Sequence, residues 1–231
     1  MKYRITINEV GKEDSQVKAY ASVIFGDSIV VRNIAIVKKD EDVFVSMPSQ
    51  RTLDVDENGK VKYKSICNPI TKEFKDEIEG NILKAYDLKL SGEMGKEGYA
   101  AGDEAEALSA SVSATPYERP DSNIKGLASI FLNDKFVINS VTIVKGSNGL
   151  FVSMPSYKAN VETKDGKSEY RDIAYPITKE FSKEISEKIL GTYHDKKNKE
   201  LTKKIEAVQE AKEKATKKSG KTTKTESKSA R

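Results

Sequence analysis

The sequence contains an internal repeat at a fixed offset of 107 residues, and this repeat constrains the fold more than any other feature. Residues 18–87 align without a gap with residues 125–194, and about 29 of these 70 positions are identical. The longest identical blocks are FVSMPS, at Phe44–Ser49 and Phe151–Ser156, and PITKEF, at Pro69–Phe74 and Pro176–Phe181. This repetition predicts two tandem copies of one structural unit.

The hydrophobic pattern within each copy predicts strands first. In the first copy, apolar residues alternate from Val17 to Phe25, and the turn signal Gly26-Asp27-Ser28 separates them from Ile29–Val37. This arrangement is typical of a β-hairpin. A third strand is expected at Val43–Met47, where a following proline ends it. The second copy repeats the pattern, and a polar loop follows the third strand in both.

After the polar loop the apolar period changes to one near 3.6, which indicates one helix per copy. The expected helical stripes are Phe74, Ile78, Ile82 and Tyr86, and Phe181, Ile185, Ile189 and Tyr193. Thr71 and Thr178 are expected to act as N-caps. An antiparallel sheet covered by a C-terminal helix places each module in the α+β class.

The repeat and the composition together predict four regions. Residues 89–109 are rich in Gly, Ala, Ser and acidic residues, which is typical of a mobile linker. Met1–Val10 is expected to add a first strand, with Ser109–Tyr117 as its partner in the second copy. The predicted boundaries are a first module at 1–88, the linker at 89–109, a second module at 110–194 and a tail at 195–231.

The tail differs from the rest of the chain in its charge. It contains 13 Lys and Arg against 6 Asp and Glu, a net charge of +7, which leaves −3 for residues 1–194 of a chain whose total is +4. We expect a helix at 196–217, with Leu201, Ile205 and Val208 on one stripe, and disorder beyond Lys218. The basic tail is expected to add non-specific affinity for phosphates or simply to raise solubility.

The composition argues against several protein classes. No apolar run approaches the roughly 20 residues of a membrane span, and the first ten residues lack the apolar core of a secretory signal. Cys67 is the only cysteine, which rules out an intrachain disulfide and favours the reducing cytoplasm.

Few residues suggest catalysis or metal binding. Asp54–Gly59 resembles the first half of a calcium loop, but Ser65 stands where a twelfth-position Glu is needed, so a turn is favoured. Cys67 aligns with Ala174 and is expected to be a small buried side chain, and His194 is expected to be solvated at the end of the second helix. We therefore expect no cofactor, no metal and no enzymatic activity.

Two segments of the second copy carry a family resemblance. Phe136–Ser156 has the pattern FVI-x-x-VTIV-KGSNGLFVSMPS, and Tyr170–Thr178 reads YRDIAYPIT. This copy resembles the stage V sporulation protein G (SpoVG) family of bacterial regulators. The first copy keeps FVSMPS and NPIT but has Lys64–Cys67, KSIC, in place of RDIA, so its resemblance is weaker.

The resemblance implies a regulator that binds DNA or RNA and affects gene expression and septation or sporulation. Family members are single modules that dimerise, so a tandem chain is expected to form an intramolecular pseudo-dimer, with a further homo-oligomer left open. A tether between the copies raises the effective concentration of each near the other.

Basic residues in and after the polar loops are the candidate nucleic-acid contacts, because Lys and Arg neutralise phosphates. They are Arg51, Lys60, Lys62, Lys64, Lys158, Lys164, Lys167 and Arg171. Carboxylates share these loops, so a solvated loop of mixed charge is the alternative. The family has a Lys-Arg-Thr-like triplet here; Gln50-Arg51-Thr52 keeps it in part and Tyr157-Lys158-Ala159 departs from it, which predicts unequal copies.

A second function remains open on the sequence. The slightly acidic body and the stripe in the tail would also suit a non-enzymatic scaffold that acts through protein contacts in cell division.

Overall fold

A computed structural model describes residues 1–11, 14–117, 119–162 and 168–222 of the chain. The first repeat and the segment after it contain β1 (Lys2–Glu9), β2 (Val17–Phe25), β3 (Ile29–Lys39), β4 (Asp42–Ser46), β5 (Ser49–Val55), β6 (Val61–Ser65), β7 (Cys67–Pro69), α1 (Lys72–Leu90) and β8 (Tyr99–Gly102). The second repeat contains β9 (Ala110–Pro116), β10 (Ile124–Leu132), β11 (Phe136–Gly146), β12 (Gly149–Ser153), β13 (Ser156–Glu162), β14 (Ser168–Asp172), β15 (Ala174–Pro176) and α2 (Lys179–Thr222).

Each repeat forms an antiparallel sheet with one helix against it, which confirms the α+β class. In the first repeat the order β3-β2-β1 is extended by β4 on the outer edge of β3, and in the second repeat β11-β10-β9 is extended by β12 on β11. The predicted hairpins, third strands and additional first strands are all present. Alternate side chains of β2, such as Ala19, Ala21 and Val23, are fully buried, as a strand with one covered face requires.

The two repeats exchange short strands. Strand β7 of the first repeat pairs with β11 of the second, so that Cys67 lies opposite Ile138. Strand β15 of the second repeat pairs with β3 of the first in the equivalent register, with Ala174 opposite Val31. The exchange gives the two halves a pseudo-twofold relationship, because each half completes the sheet of the other.

The exchange brings the two halves into one continuous hydrophobic core. Phe25 of the first repeat and Phe136 of the second are in ring contact, with centroids 5.0 Å apart. Phe74 of helix α1 meets the same Phe136 ring edge-on at 6.5 Å. The large aromatic side chains of this core therefore pack across the boundary between the repeats, where they stabilise both.

The helices follow the predicted stripes. Phe74, Ile78 and Ile82 are buried in α1, and the N–H of Phe74 donates to the Thr71 hydroxyl, the predicted N-cap, at 3.2 Å. The Thr178 hydroxyl accepts from the N–H of Phe181 in the same way, at 3.3 Å. Both caps are confirmed.

Helix α2 is longer than the repeat predicts. It continues without a break from the module into the tail and reaches Thr222. His194 is exposed, as expected, but it lies within the helix. The prediction that it ends the helix was therefore wrong. Lys, Glu, Ala and Gln have high helix propensity, and these residues make up most of the tail's helical part. Residues 223–231 lie outside the described part, and in the described helices no segment is both long and apolar enough to span a membrane.

The linker segment also contributes to the fold. Strand β8 pairs antiparallel with β1, with Tyr99 opposite Ile5, and extends the first sheet. Further along, the Glu106 carboxylate accepts hydrogen bonds from Lys135, at 2.7 Å, and from Asn133, at 3.1 Å. It also pairs with the ammonium group of Met1. The linker is therefore attached at one end to the first sheet and at the other to the β10–β11 turn.

Candidate nucleic-acid interface

Both polar loops predicted from the sequence are β-hairpins, which corrects that part of the sequence interpretation. The first hairpin, β5–β6, pairs Ser49–Val55 with Val61–Ser65, and the second hairpin, β13–β14, pairs Ser156–Glu162 with Ser168–Asp172. Most of the first hairpin's side chains are exposed. A hairpin with most of its side chains exposed needs little apolar alternation, so the strand signal in the sequence is weak here, although Leu53 and Val55, and Val61 and Tyr63, do alternate with polar residues.

The first hairpin separates its side chains between two faces. Gln50 lies directly opposite Lys64, and Arg51 lies directly opposite Tyr63. Residues that pair across antiparallel strands project to the same side, and successive residues project to opposite sides. Lys64 and Lys62 therefore share a face with Gln50, while Arg51 and Tyr63 occupy the other.

A groove lies between the Lys64 face of this hairpin and the outer face of the second repeat's sheet. It has a volume of about 530 Å³. Its polar lining comes from both repeats: Gln50, Lys64, Ser113, Thr115, Ser129, Asn139, Ser140 and Thr142. Hydroxyl, amide and ammonium groups can all donate hydrogen bonds to phosphate or sugar oxygens. The groove is thus formed by both repeats, and it contains one cation, Lys64, together with several hydroxyl groups.

A β-bulge shapes the floor of this groove. Asn139 and Ser140 together lie opposite Ser129, where the β10–β11 register shifts. Ser140 has φ of 60°, in the left-handed region that costs a non-glycine residue on the order of 1 kcal/mol. The bulge places the Ser140 hydroxyl where it accepts a 3.4 Å hydrogen bond from Gln50 Nε2, which joins the hairpin to the sheet of the other repeat.

Acidic residues of the first hairpin lie at its tip. The Asp56 carboxylate accepts 2.8 Å hydrogen bonds from the backbone N–H groups of Asn58 and Lys60, and Gly59 has φ of +75°, which closes the turn. The calcium-like stretch thus folds as a tight turn whose central carboxylate binds the backbone. Lys60 lies at this tip, away from the paired strands.

The second hairpin has the same pairing but a different charge balance. Arg171 Nε donates to Glu169 Oε1 at 2.8 Å, and this hydrogen bond raises the pKa of Arg171. Glu169 occupies the position equivalent to Lys62. Lys158 is exposed and lies directly opposite Tyr170. An internal carboxylate therefore partly neutralises the cation that corresponds to Lys64.

The predicted cations are thus only partly brought together. Lys62 and Lys64 share one face of the first hairpin, whereas Arg51 occupies the other face and Lys60 the tip. Lys158 and Arg171 lie on the second hairpin, and Lys164 and Lys167 lie outside the described residues.

Two further candidates were missed by the sequence interpretation, which considered only charged residues. They are Tyr63 and Tyr170, exposed by 67% and 66%. The available signal was their identity at equivalent positions of two hairpins in which most other positions differ.

Other residues singled out from the sequence lie elsewhere. Val45 and Met47 of FVSMPS pack partly buried against the core, while Phe44 and its equivalent Phe151 point outward, 44% and 50% exposed. Cys67 is buried in β7, and this burial raises the pKa of its thiol to about 12. A thiol held in the protonated form is a poor nucleophile, as expected of a packing residue.

Comparison with known proteins identifies the family. The SpoVG family model matches the chain twice, over residues 1–88 and 109–195. The chain belongs to the SpoVG family. The two matches also establish the tandem duplication.

Individual relatives show the same similarity over part of the chain. Three proteins named "Putative septation protein SpoVG" are 47% identical over 75 residues (Macrococcus caseolyticus), 43% over 74 (Geobacillus thermodenitrificans) and 36% over 86 (Acholeplasma laidlawii). The matched segments cover 32%, 32% and 37% of this chain. They cover 60%, 71% and 85% of the respective relatives, so the first match leaves two-fifths of its relative unmatched.

Proposed function

We propose that this SpoVG protein is a non-enzymatic, nucleic-acid-binding regulator whose main contact surface is the first hairpin. One observation carries the proposal: Arg51, Lys62 and Lys64 are exposed on its paired strands. In the described part of the chain these three cations have no ion-pair partner. Such cations can exchange their counterions for phosphates at little cost.

The contrast with other cations of the protein supports this interpretation. Lys72 pairs with Asp76 at 2.7 Å, and Lys188 pairs with Glu184 at 2.7 Å. A phosphate would have to compete with a carboxylate for these lysines. The strands of the first hairpin present cations without this competition, because its three carboxylates lie at or near the tip.

The family relationship gives the proposal its biological context. Relatives carry the name of a septation protein, and we propose a septation- or sporulation-related role in gene expression for this protein as well. A cytoplasmic location would agree with that role.

Fluorescence anisotropy tests the proposal directly. The full chain is titrated against labelled single-stranded RNA, single-stranded DNA and duplex DNA at two salt concentrations, alongside a variant that lacks residues 195–231. We expect saturable, salt-sensitive binding that the truncated variant retains, because the hairpins lie in the modules. No saturable binding at low salt would contradict the proposal, and loss of binding with the tail would assign the affinity to the tail instead.

We also propose that the exchanged strands satisfy each other within one chain, as an intramolecular pseudo-dimer. The equivalent registers of β7 on β11 and of β15 on β3 support this proposal. Light scattering should then give the mass of one chain, 25.6 kDa. A stable dimer would show that an additional, outer interface exists.

A protein-contact function is the second candidate, supported by the tail. Leu201 and Ile205 lie one helical turn apart on α2 and are 58% and 49% exposed; the side chain of Val208, the third residue of the predicted stripe, lies outside the described set. Affinity capture with the full chain and with residues 195–231 deleted tests this function. Identical captured proteins would exclude the tail from it.

A further inference from the structure

Tyr63 and Tyr170 are the basis of this inference. They occupy equivalent positions in the two hairpins, and on the paired strands at 49–55 and 61–65 the only other position that is identical in both repeats is Ser49, which aligns with Ser156. Their exposed fractions, 67% and 66%, also agree. The same residue has thus been kept in the same exposed position twice, while most of its neighbours changed.

A cation lies directly opposite each tyrosine. Arg51 pairs across the strands with Tyr63, and Lys158 pairs with Tyr170. The Cβ atoms of such pairs lie about 5 Å apart on one face of the sheet. Each hairpin therefore presents one aromatic ring and one positive charge side by side, and this combination survives although the cation changes from Arg to Lys.

Folding does not explain the tyrosines. Neither hydroxyl group makes a hydrogen bond, and neither ring contacts another aromatic side chain, among the residues described. By contrast, Tyr3 and Tyr193 are only 3% and 2% exposed. An apolar ring in water loses the burial that normally favours an aromatic residue.

We propose that Tyr63 and Tyr170 each stack on an unpaired base, while Arg51 and Lys158 contact the adjoining phosphates. This inference rests on the proposed nucleic-acid function and specifies its substrate class as single-stranded segments. Stacking suits any base, because each has a π face, so the site selects strandedness rather than sequence. Bases of a duplex are already stacked on one another and cannot reach the rings.

Abasic oligonucleotides separate stacking from phosphate contact. Binding of the full chain is measured for a single-stranded DNA and for an abasic strand of equal length, which has the same phosphates but no bases. Wild type should prefer the base-bearing strand by at least about tenfold, because a single stacked base already gives a preference on that scale. Tyr63→Ser/Tyr170→Ser should lose that preference, keep its affinity for the abasic strand and keep the salt dependence of wild type.

Two control variants make the test specific. Tyr63→Phe/Tyr170→Phe retains both rings and should bind as wild type does. Tyr20→Ser removes another exposed tyrosine, 41% exposed, whose cross-strand neighbours Asn8 and Ala35 are uncharged, and should leave both affinities unchanged. Circular dichroism and thermal melting of each variant establish that the fold is intact.

The outcomes separate the two proposals. If wild type binds neither strand but binds duplex DNA, the single-stranded class is overturned; if it binds neither strand, nor RNA, nor duplex DNA, nucleic-acid binding itself fails. If wild type binds both strands equally, or the serine variant keeps the preference for bases, stacking is overturned while nucleic-acid binding stands, and a protein contact becomes the better role for the tyrosines. If the serine variant weakens binding to both strands equally, the tyrosines only support the phosphate contacts, which also overturns stacking.

Discussion

The two hairpins share a backbone arrangement and differ in charge. The paired strands of the first hairpin contain Arg51, Lys62 and Lys64 and are opposed only by Asp54 near the tip, whereas those of the second contain two cations and three carboxylates. One substitution accounts for much of the difference, because the equivalent of Lys62 is Glu169, which binds Arg171 at 2.8 Å. After duplication, the shared core preserved the fold, and the exposed strands were free to diverge.

This freedom has a physical reason. Substitutions at exposed positions usually change the free energy of unfolding by less than about 0.5 kcal/mol, whereas changes in a packed core cost several times more. Leu53, for instance, is fully exposed on the first hairpin and aligns with Asn160, while Ile78 and Ile185 are buried and identical. Divergence of charge between the hairpins therefore had little effect on stability.

The largest predicted effect comes from core substitutions, which test whether the two repeats unfold as one cooperative unit. Ile78→Ala and Ile185→Ala should each lower the free energy of unfolding by about 2–5 kcal/mol, because each leaves a cavity in the core. Urea denaturation followed by circular dichroism should show one transition for both variants, and Leu53→Ala should match wild type. Two transitions, each moved by only one variant, would show that the repeats unfold independently.

Neutralising the first hairpin should have the next largest effect. Arg51→Gln/Lys62→Gln/Lys64→Gln should weaken single-stranded DNA binding by about tenfold or more at low salt and reduce the slope of log K against log salt by about 2, or roughly 0.7 per lost contact. Anisotropy titrations at several salt concentrations measure both quantities. The matched variant, Lys158→Gln/Arg171→Gln, should lose only about threefold; equal losses would remove the asymmetry.

A charge exchange between the hairpins should have a smaller effect. Glu169→Lys releases Arg171 and adds a cation, so it should raise affinity by about threefold, and Lys62→Glu should lower affinity by a similar factor. The same anisotropy assay applies, with Glu93→Lys, at a carboxylate exposed in the linker, as the control that changes the net charge by the same two units. An affinity unaffected by Glu169→Lys would mean that the second hairpin does not contact nucleic acid.

The smallest predicted effect concerns Glu106, which binds the turn between β10 and β11. Hydrogen bonds from Lys135 and the N-terminal ammonium lower the pKa of Glu106 to about 2. The first repeat has Ser28 at the position equivalent to Lys135, so its turn lacks this lysine. Because the folded pKa lies below the unfolded value of about 4.3, Glu106 stabilises the fold above that value and loses this contribution as the pH falls toward 2.

Thermal melting checks this pH dependence. Glu106→Gln should melt slightly below wild type at neutral pH, and the two should converge near pH 2, where wild-type Glu106 is itself becoming protonated. A difference between them that does not change with pH would show that the Glu106 carboxylate contributes shape rather than charge.

Local pattern was sufficient for much of the fold and for little of the site. Apolar alternation located strands such as Val17–Phe25, and the period of Phe74, Ile78 and Ile82 located the helix, because burial of one face imposes both periods. The hairpins at 49–65 and 156–172 were interpreted as loops because most of their described side chains are exposed. The importance of Tyr63 was missed because exposure cannot be predicted from the residue type.

The sequence by itself determined the duplication, the α+β class of each module, the helix caps and the family, since all of these follow from local composition and from residues compared at a fixed offset. Only the tertiary structure decided that β7 and β15 cross between the repeats, because three-residue strands carry no periodic signal and their partners lie far away in the chain. It also decided which cations lack a carboxylate partner and which side of the first hairpin meets the sheet of the other repeat. These relations depend on distances between side chains, which the order of residues along the chain does not fix.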